Sequence, residues 1–225
     1  MHCGMCHTPK NFLGGDRSSQ RLQGYALQGW FAPDITNNPR RGVGGWSEDE
    51  IATYLKTGHN KTSAASGPMA EEVTRSSALM SDADLHAIAI YLKDQPGAAP
   101  TNETPLAADD PAMQQGAAIY RDECSACHSP NGSGVAGFLP SLGGSPTVQS
   151  MQPTSLIRVV LRGAQSAATD GAPTAPAMPS FGWLLSDEQV AAVTTYIRNA
   201  WGNAAPAVDA AEVTRQRQQL VQRSD

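Results

Sequence analysis

The chain has 225 residues, of which 40% are hydrophobic, and its 16 basic and 21 acidic side chains give a formal net charge of -5. Because lysine and arginine are few and scattered, this balance argues against a nucleic-acid-binding protein. No apolar run approaches the ~18 residues of a membrane span, and the first residues lack the basic and apolar regions of a signal peptide. The length allows two small domains.

Two motifs of the same form account for every cysteine in the chain. Their residues are Cys3, Cys6 and His7 in CGMCH, and Cys124, Cys127 and His128 in CSACH. Cysteines at i and i+3 share one face of a helical turn, so both thiols can bond to the vinyl groups along one haem edge. The histidine that follows then lies where its ring can coordinate the iron. The motifs therefore predict two covalently bound haem c groups.

Three other uses of paired cysteines agree less well with this pattern. Two Cys-x-x-Cys pairs can form a tetrahedral zinc site, but such pairs normally lie closer in sequence and both histidines would be surplus. A thioredoxin-like redox pair needs a strand and a helix around the cysteines, and the sequence shows no such context. Disulfide bonds would explain neither histidine.

The first half of the chain, residues 1–96, predicts two amphipathic helices after its motif. One begins at Ser47, which starts a capping box, and ends at Gly58. The other lies in MSDADLHAIAIYLKDQPG, where Ser81 is the predicted N-cap and the apolar residues repeat at helical spacing.

The second half, residues 97–225, repeats this pattern after a linker. Residues 97–110 are rich in Pro, Ala and Thr and show no periodicity, which is typical of a linker. The helices predicted next are an N-terminal one that contains Gly116, a middle one from Thr154 and a last one from Ser186. The last helix aligns closely with the one after Ser81, so the chain contains an internal repeat.

A haem iron held by one histidine has a second axial position, and methionine is the predicted occupant in both halves. Met69 lies in SGPMAEE and Met178 in APAMPSF, two Pro-containing segments read as loops before the last helix of each half. A loop methionine is not a typical core filler, so each is predicted to ligate iron. His59 is the alternative ligand in the first half. Pro33 and Pro140 either offer a backbone carbonyl to a ligating imidazole or simply set turns.

Longer stretches of the chain resemble one known family. They are CHTPKNFLGG, LQGWFAPDITNNPRRGVGGWSEDEIATYLKTG, GPMAEE, MPSFGWLLSD and LSDEQVAAVTTYIRNAWGN. The resemblance is to the multihaem, normally triple-haem, cytochrome c subunits of bacterial periplasmic dehydrogenases associated with the membrane. The catalytic partners in that family include alcohol, gluconate or sorbitol, aldehyde and N-heterocycle dehydrogenases.

The repeat and the resemblance together imply an all-α fold with two tandem class I cytochrome c-like haem domains. We expect these domains at residues 1–96 and 111–203, joined by the linker at 97–110 and followed by a polar C-terminal tail at 204–225. Members of the family have three haem domains. We therefore expect one upstream domain, the N-terminal helix of the first domain here and the signal peptide to be missing from this sequence.

The two predicted domains should differ in how their helices pack. Gly116 and Tyr120 are spaced i, i+4 and are expected to pack against Tyr196 on the last helix. The first domain has no equivalent helix before its motif. We therefore expect residues 1–96 to be the less stable part and one apolar stripe to be partly uncovered, namely Leu85, Ile88 and Leu92.

The expected function is electron transfer rather than catalysis, because an iron with both axial positions filled has no open site for a substrate. The resemblance implies that electrons come from a quinoprotein, flavoprotein or molybdoprotein dehydrogenase subunit and leave to ubiquinone or a downstream cytochrome. It also implies a periplasmic protein associated peripherally with the inner membrane. The alternative is a two-haem cytochrome c peroxidase, which needs an open or displaceable site on one haem.

Overall fold

The computed structural model describes residues 2–98 and 103–221, and this part of the chain is mostly helical, as predicted. Its helices are α1 (Cys3–His7), α2 (Glu48–Thr57), α3 (Pro68–Arg75), α4 (Asp82–Asp94), α5 (Pro111–Ile119), α6 (Ser125–His128), α7 (Pro146–Gln149), α8 (Thr154–Arg162), α9 (Asp187–Asn199) and α10 (Ala210–Val221). None of these described helices is long and apolar enough to cross a membrane.

Two short antiparallel sheets, which the sequence did not predict, interrupt the helices. β1 (Tyr25–Leu27) pairs with β2 (Trp30–Ala32), and β3 (Ala164–Gln165) pairs with β4 (Ala177–Met178). Strands of two or three residues are too short to show a period of two in the sequence. The division into tandem domains at 1–96 and 111–203 stays a prediction.

The predicted helix starts are formed by side-chain caps. Ser47 Oγ accepts from the Glu50 N–H at 3.1 Å, and the Glu50 carboxylate accepts from the Ser47 N–H at 2.8 Å. Ser186 and Gln189 make the same reciprocal pair at the start of α9. Gly58 ends α2 with a φ of 84°, a left-handed conformation that glycine adopts without strain.

One cluster of buried side chains lies in the first half, where α4 packs on α2. Leu85 and Leu92 are only 1% and 5% exposed, and Ile88 is partly buried against the same cluster. The expectation that this stripe is partly uncovered was therefore wrong, because the stripe faces α2. The exposed face of α4 carries Ile90 and Tyr91 instead, at 55% and 43% exposure.

The larger buried cluster lies in the second half, where α5 crosses α9 at Gly116. A Cβ atom added to Gly116 would meet the Ala192 carbonyl oxygen and would lie 2.6 Å from Tyr196 Cβ. The rings of Tyr120 and Tyr196 pack with centroids 5.5 Å apart. These contacts confirm the predicted packing of the i, i+4 pair on the last helix.

The chain beyond residue 203 belongs to this second cluster and is not simply a polar tail. Val208, Val213 and Leu220 are buried in it, and α10 packs on both α8 and α9. Arg217 on α10 donates to an Asp187 carboxylate oxygen on α9 at 2.7 Å. The polar composition did not reveal that this helix packs on the cluster, because only two apolar side chains of α10, seven residues apart, are fully buried there.

Candidate haem-binding sites

The first motif forms α1, and His7 is its last residue. The Nδ1–H of His7 donates to the Pro33 carbonyl oxygen at 2.7 Å, which is the first of the two roles that the sequence allowed for this proline. Burial lowers the pKa of His7, although the bond to Pro33 and the charge of Asp34 partly oppose this. The ring is therefore neutral at pH 7 and keeps Nε2 as the nitrogen that can coordinate a metal.

The loop after α1 brings the Pro33 carbonyl to this histidine. The Gly24 N–H donates to the His7 carbonyl oxygen at 2.9 Å. Gly24 has a φ of 94°, and a Cβ atom there would lie 2.8 Å from the Phe31 ring. Only glycine therefore lets β2, and Pro33 directly after it, approach α1 this closely.

The second motif has a similar frame. It begins at the last residue of a π-helical turn, Tyr120–Cys124, and ends with His128 as the last residue of α6. The Gly134 N–H donates to the His128 carbonyl oxygen at 3.0 Å, as Gly24 does for the first histidine. The Tyr120 hydroxyl donates to the Ser129 carbonyl oxygen at 2.7 Å and ties this segment to the buried cluster.

The ring of His128 differs from that of the first histidine in its hydrogen bonding. Its Nδ1 atom is buried and has no hydrogen-bond partner among the described residues. The Pro140 carbonyl, which the sequence suggested as acceptor, lies instead beside Gly134, where a Cβ atom would be 2.6 Å from it. That expectation was wrong for the second half. Burial lowers the pKa of His128, so this imidazole is also neutral.

Each candidate methionine contacts the same buried cluster as a cysteine of its own half. Met69 and Cys3 are half-buried against the first cluster, and Met178 and Cys124 are half-buried against the second. Met178 lies in β4, opposite Ala164 of β3. The sequence suggested a loop for Met69. In the structure Pro68 starts α3, so Met69 lies in the first turn of that helix.

The remaining features of these surfaces fit a flat apolar cofactor. None of the four cysteines is in a disulfide bond. Burial is the main cause that raises the pKa of the Cys3 thiol, and it raises the pKa of Cys124 to about 11. Apolar side chains beside the motifs stay exposed, with Met5, Val135 and Phe138 at 66%, 47% and 43%. Neutral imidazoles and uncovered apolar side chains suit a haem bound through thioether links.

The alternative uses of these residues find no support in the described structure. Within residues 2–98 and 103–221, no three His, Cys, Asp or Glu side chains converge on a possible metal site. His59 lines a cavity of about 200 Å³ together with Phe138 and Ala167 of the second half. His86 is exposed, and its Nε2 lies 3.0 Å from an Asp49 carboxylate oxygen. The hydrogen bond to the Asp82 carbonyl and the one to Asp49 raise the pKa of His86.

Sequence reasoning missed the residues that join the two halves next to the first motif. The Ser155 hydroxyl on α8 hydrogen-bonds to the backbone N–H and to the carbonyl oxygen of Phe31. The Arg158 guanidinium lies over the Trp30 ring, 4.6 Å from its centroid. Each pair is separated by more than a hundred residues in sequence. No local pattern could have revealed such contacts.

Comparison with known proteins agrees with this fold and these motifs. Residues 113–201 match the family model for cytochrome c. The mostly helical fold and the Cys-x-x-Cys-His motif at residues 124–128 agree with this match, so residues 113–201 form a cytochrome c domain.

More specific similarity extends over nearly the whole chain. It is 40% identical, over 96% of its length, to the cytochrome c subunit of alcohol dehydrogenase (quinone) from Gluconacetobacter polyoxogenes, covering 50% of that protein. It is 40% identical, over 92% of its length, to the gluconate 2-dehydrogenase cytochrome c subunit of Pantoea cypripedii, covering 51% of that protein. The corresponding values for the fructose dehydrogenase cytochrome subunit of Gluconobacter japonicus are 36%, 93% and 48%.

These relatives are electron-transfer components of dehydrogenases rather than catalytic subunits. The chain is thus related to dehydrogenase cytochrome c subunits, and it spans about half the length of those it matches.

Proposed function

We propose that this chain relays single electrons within a dehydrogenase complex through two covalently bound haem c groups, one in each half. A haem bound through its vinyl groups and an axial histidine supplies a one-electron iron couple. The observation that carries the proposal is the repeated arrangement around the two motifs. In each half a Cys-x-x-Cys-His helix packs on the same buried cluster as one methionine.

In this proposal His7 and Met69 are the axial ligands in the first half, and His128 and Met178 those in the second. The Pro33 carbonyl holds the ring of His7 through Nδ1, so that Nε2 is the coordinating nitrogen. Methionine opposite histidine raises the reduction potential of a haem iron and leaves no open position for a substrate. This is the reason to propose a carrier rather than an enzyme.

The partners are proposed from the names of the relatives, which give a dehydrogenase, and from the family resemblance of the sequence, which gives the cofactors and the electron acceptor. Electrons would come from a catalytic dehydrogenase subunit containing a quinone, flavin or molybdenum cofactor. They would leave to ubiquinone or a downstream cytochrome. A complex of this kind would lie in the periplasm, with the chain attached peripherally to the inner membrane.

We further propose that the two halves are tandem haem domains and that a helix equivalent to α5 covers α4 in the longer protein. On α9, Ala192 lies on the face that receives α5 and is 5% exposed, and Thr195, three residues further along, is 0% exposed. The aligned residues of α4, Ala87 and Ile90, are exposed. Tyr91, aligned with the tyrosine of α9 that touches α5, is exposed as well.

The number of haem groups tests the proposal directly. The chain would be produced behind a signal peptide in a host that matures c-type cytochromes, and haem per polypeptide would be measured by haemochrome absorbance and intact mass. We expect two for the wild-type chain and one when both cysteines of either motif are replaced by alanine. A colourless chain, or one haem in the wild type, would refute the proposal.

The proposed axial ligands are tested by the sulfur-to-iron absorption band of the ferric protein. Met69→Ala and Met178→Ala should each remove about half of this band and lower one reduction potential, because each removes one thioether ligand. Met151→Ala is the matched control, because Met151 is 48% exposed and lies outside both buried clusters. Bands of wild-type intensity in both ligand variants would contradict the assignment.

The same spectrum separates the carrier from a two-haem peroxidase. Peroxide should leave the band unchanged in a carrier, since neither iron has an open position. Rapid loss of the band at one haem, together with peroxide turnover, would favour the enzyme.

A further inference from the structure

The second half of the chain contacts the backbone that carries the hydrogen-bond acceptor of His7. Ser155 on α8 is buried, and its hydroxyl accepts from the Phe31 N–H at 2.8 Å and donates to the Phe31 carbonyl oxygen at 3.0 Å. Phe31 lies in β2, two residues before Pro33. One side chain therefore fixes both backbone groups of the residue that leads into the acceptor.

The second half also contacts the segment that carries Met69. The Ala167 N–H donates to the Ala65 carbonyl oxygen at 3.1 Å, and Ser66 pairs with Ser166 in an antiparallel bridge. Ala65, Val73 and Ala167 form a small buried cluster, and Met69 packs against it. The contact surface for Met69 is thus built from both halves.

Trp30 links these two regions. A Cβ atom added to Gly67 would lie 2.6 Å from Trp30 Cε2, so the indole lies directly against the turn that precedes Met69. On α8, the Arg158 guanidinium lies over the same ring, with 4.6 Å to its centroid. The first half therefore presents the β1–β2 hairpin to α8, and the adjoining Met69 segment to the residues shortly after α8.

We propose that the second half positions both axial ligands of the first haem, with Ser155 acting on His7 through Phe31 and Pro33, and Ala167 acting on Met69. This inference depends on the ligation proposed above for the first half. Groups that orient a metal ligand change metal-site affinity by about 10–100-fold when removed. Ser155 and Ala167 are positioning residues, since neither is proposed to touch haem.

Spectra and potentials of the haem-loaded full-length chain test the inference, with signals assigned to each haem by Met69→Ala and Met178→Ala. Ser155→Ala should raise the affinity of the first ferric haem for added imidazole by about 10-fold, because a looser acceptor weakens the native ligation. Ser155→Thr keeps the hydroxyl and should restore the wild-type value. Ser150→Ala is the matched control, since the Ser150 hydroxyl accepts from Gln152 within the second half.

Ala167→Leu should remove the first haem's share of the sulfur-to-iron band and leave that of the second. Ala167 is buried in the small cluster against which Met69 packs, and a Cβ atom on Gly58 would already lie 2.7 Å from its own Cβ. A larger side chain must therefore push this cluster apart. Ala168→Leu is the control at an adjacent exposed position.

Equal changes at both haems, or no change at the first haem in Ser155→Ala and Ala167→Leu, would overturn the inference. Failure of Met69→Ala to alter the band would instead overturn the proposed ligation. If Ala167→Leu does not fold, the serine series decides the question by itself.

Discussion

Replacing Gly116 by alanine should push α5 away from α9. The new Cβ would lie 2.6 Å from Tyr196 Cβ and would also meet the Ala192 carbonyl oxygen. Two carbon atoms at optimal separation are about 3.5–4.0 Å apart, so the helices must separate by about 1 Å. A gap of this size forfeits roughly a quarter to a half of the dispersion attraction between the atoms that part.

The expected loss of stability follows from two opposing contributions. Overpacking of a close contact costs about 1–3 kcal/mol. Alanine is favoured over glycine within a helix by about 1 kcal/mol, which offsets part of that cost. We therefore expect Gly116→Ala to lower the free energy of unfolding of the second half by about 1 kcal/mol, with about 2 kcal/mol as the upper end. Gly116→Val should cost more, since valine is larger and a weaker helix former.

Urea unfolding of the haem-loaded full-length chain, followed by far-ultraviolet circular dichroism, measures this loss. Native-state hydrogen exchange should locate it in α5 and α9. Gln115→Ala, on the exposed side of α5, is the control because it changes helix propensity without touching α9. If Gly116→Ala is more stable than wild type, as helix propensity alone would make it, the close approach of α5 to α9 does not exist in solution and the reasoning fails.

Two further predictions concern the second half. Arg217→Ala should destabilise the chain by about 1–3 kcal/mol at neutral pH, measured by urea unfolding, because it removes hydrogen bonds to a charged group. Burial alone would raise the pKa of Asp187, but the hydrogen bonds from Thr214 and Arg217 and the Arg217 charge lower it. The part of the wild-type advantage that depends on the Asp187 charge should therefore be present above about pH 4, the unfolded-state pKa, and decrease as pH falls through the lowered value. The bonds from Arg217 to the Gly182 and Leu185 carbonyls should persist, and an advantage that does not decrease at all below about pH 4 would contradict the prediction. Tyr120→Phe should cost about 1–2 kcal/mol in the same assay by leaving the Ser129 carbonyl without its donor, and a neutral effect would show that water replaces the hydroxyl.

The parts of the fold that the sequence predicted are those set by nearby residues. The capping boxes at Ser47 and Ser186 span three residues each, and both helices begin there. The contact of Gly116 with the last helix followed from spacing on one helix face. Local periodicity and capping carry this information because each depends on a few consecutive side chains.

The parts that the sequence did not predict depend on distant contacts. Nothing in the residues around Phe31 indicates that Ser155 binds its backbone, because hydroxyl groups of this kind are common in helices. The apolar stripe that includes Leu85 was expected to be partly uncovered for lack of an N-terminal helix, but it packs against α2. For the candidate sites, the motifs named the residues, while only the structure could show that the imidazole of His128 lacks the carbonyl partner that His7 has.

The pairing of Ser66 with Ser166 affects the order in which parts of the chain can fold. The Met69 segment can reach its final packing only when it contacts the residues around Ser166, which are synthesised about a hundred residues later. Contacts of such long sequence separation form late in folding, since a large loop must close before they contribute. During synthesis, the Met69 segment therefore reaches its final packing only after the residues around Ser166 have been made.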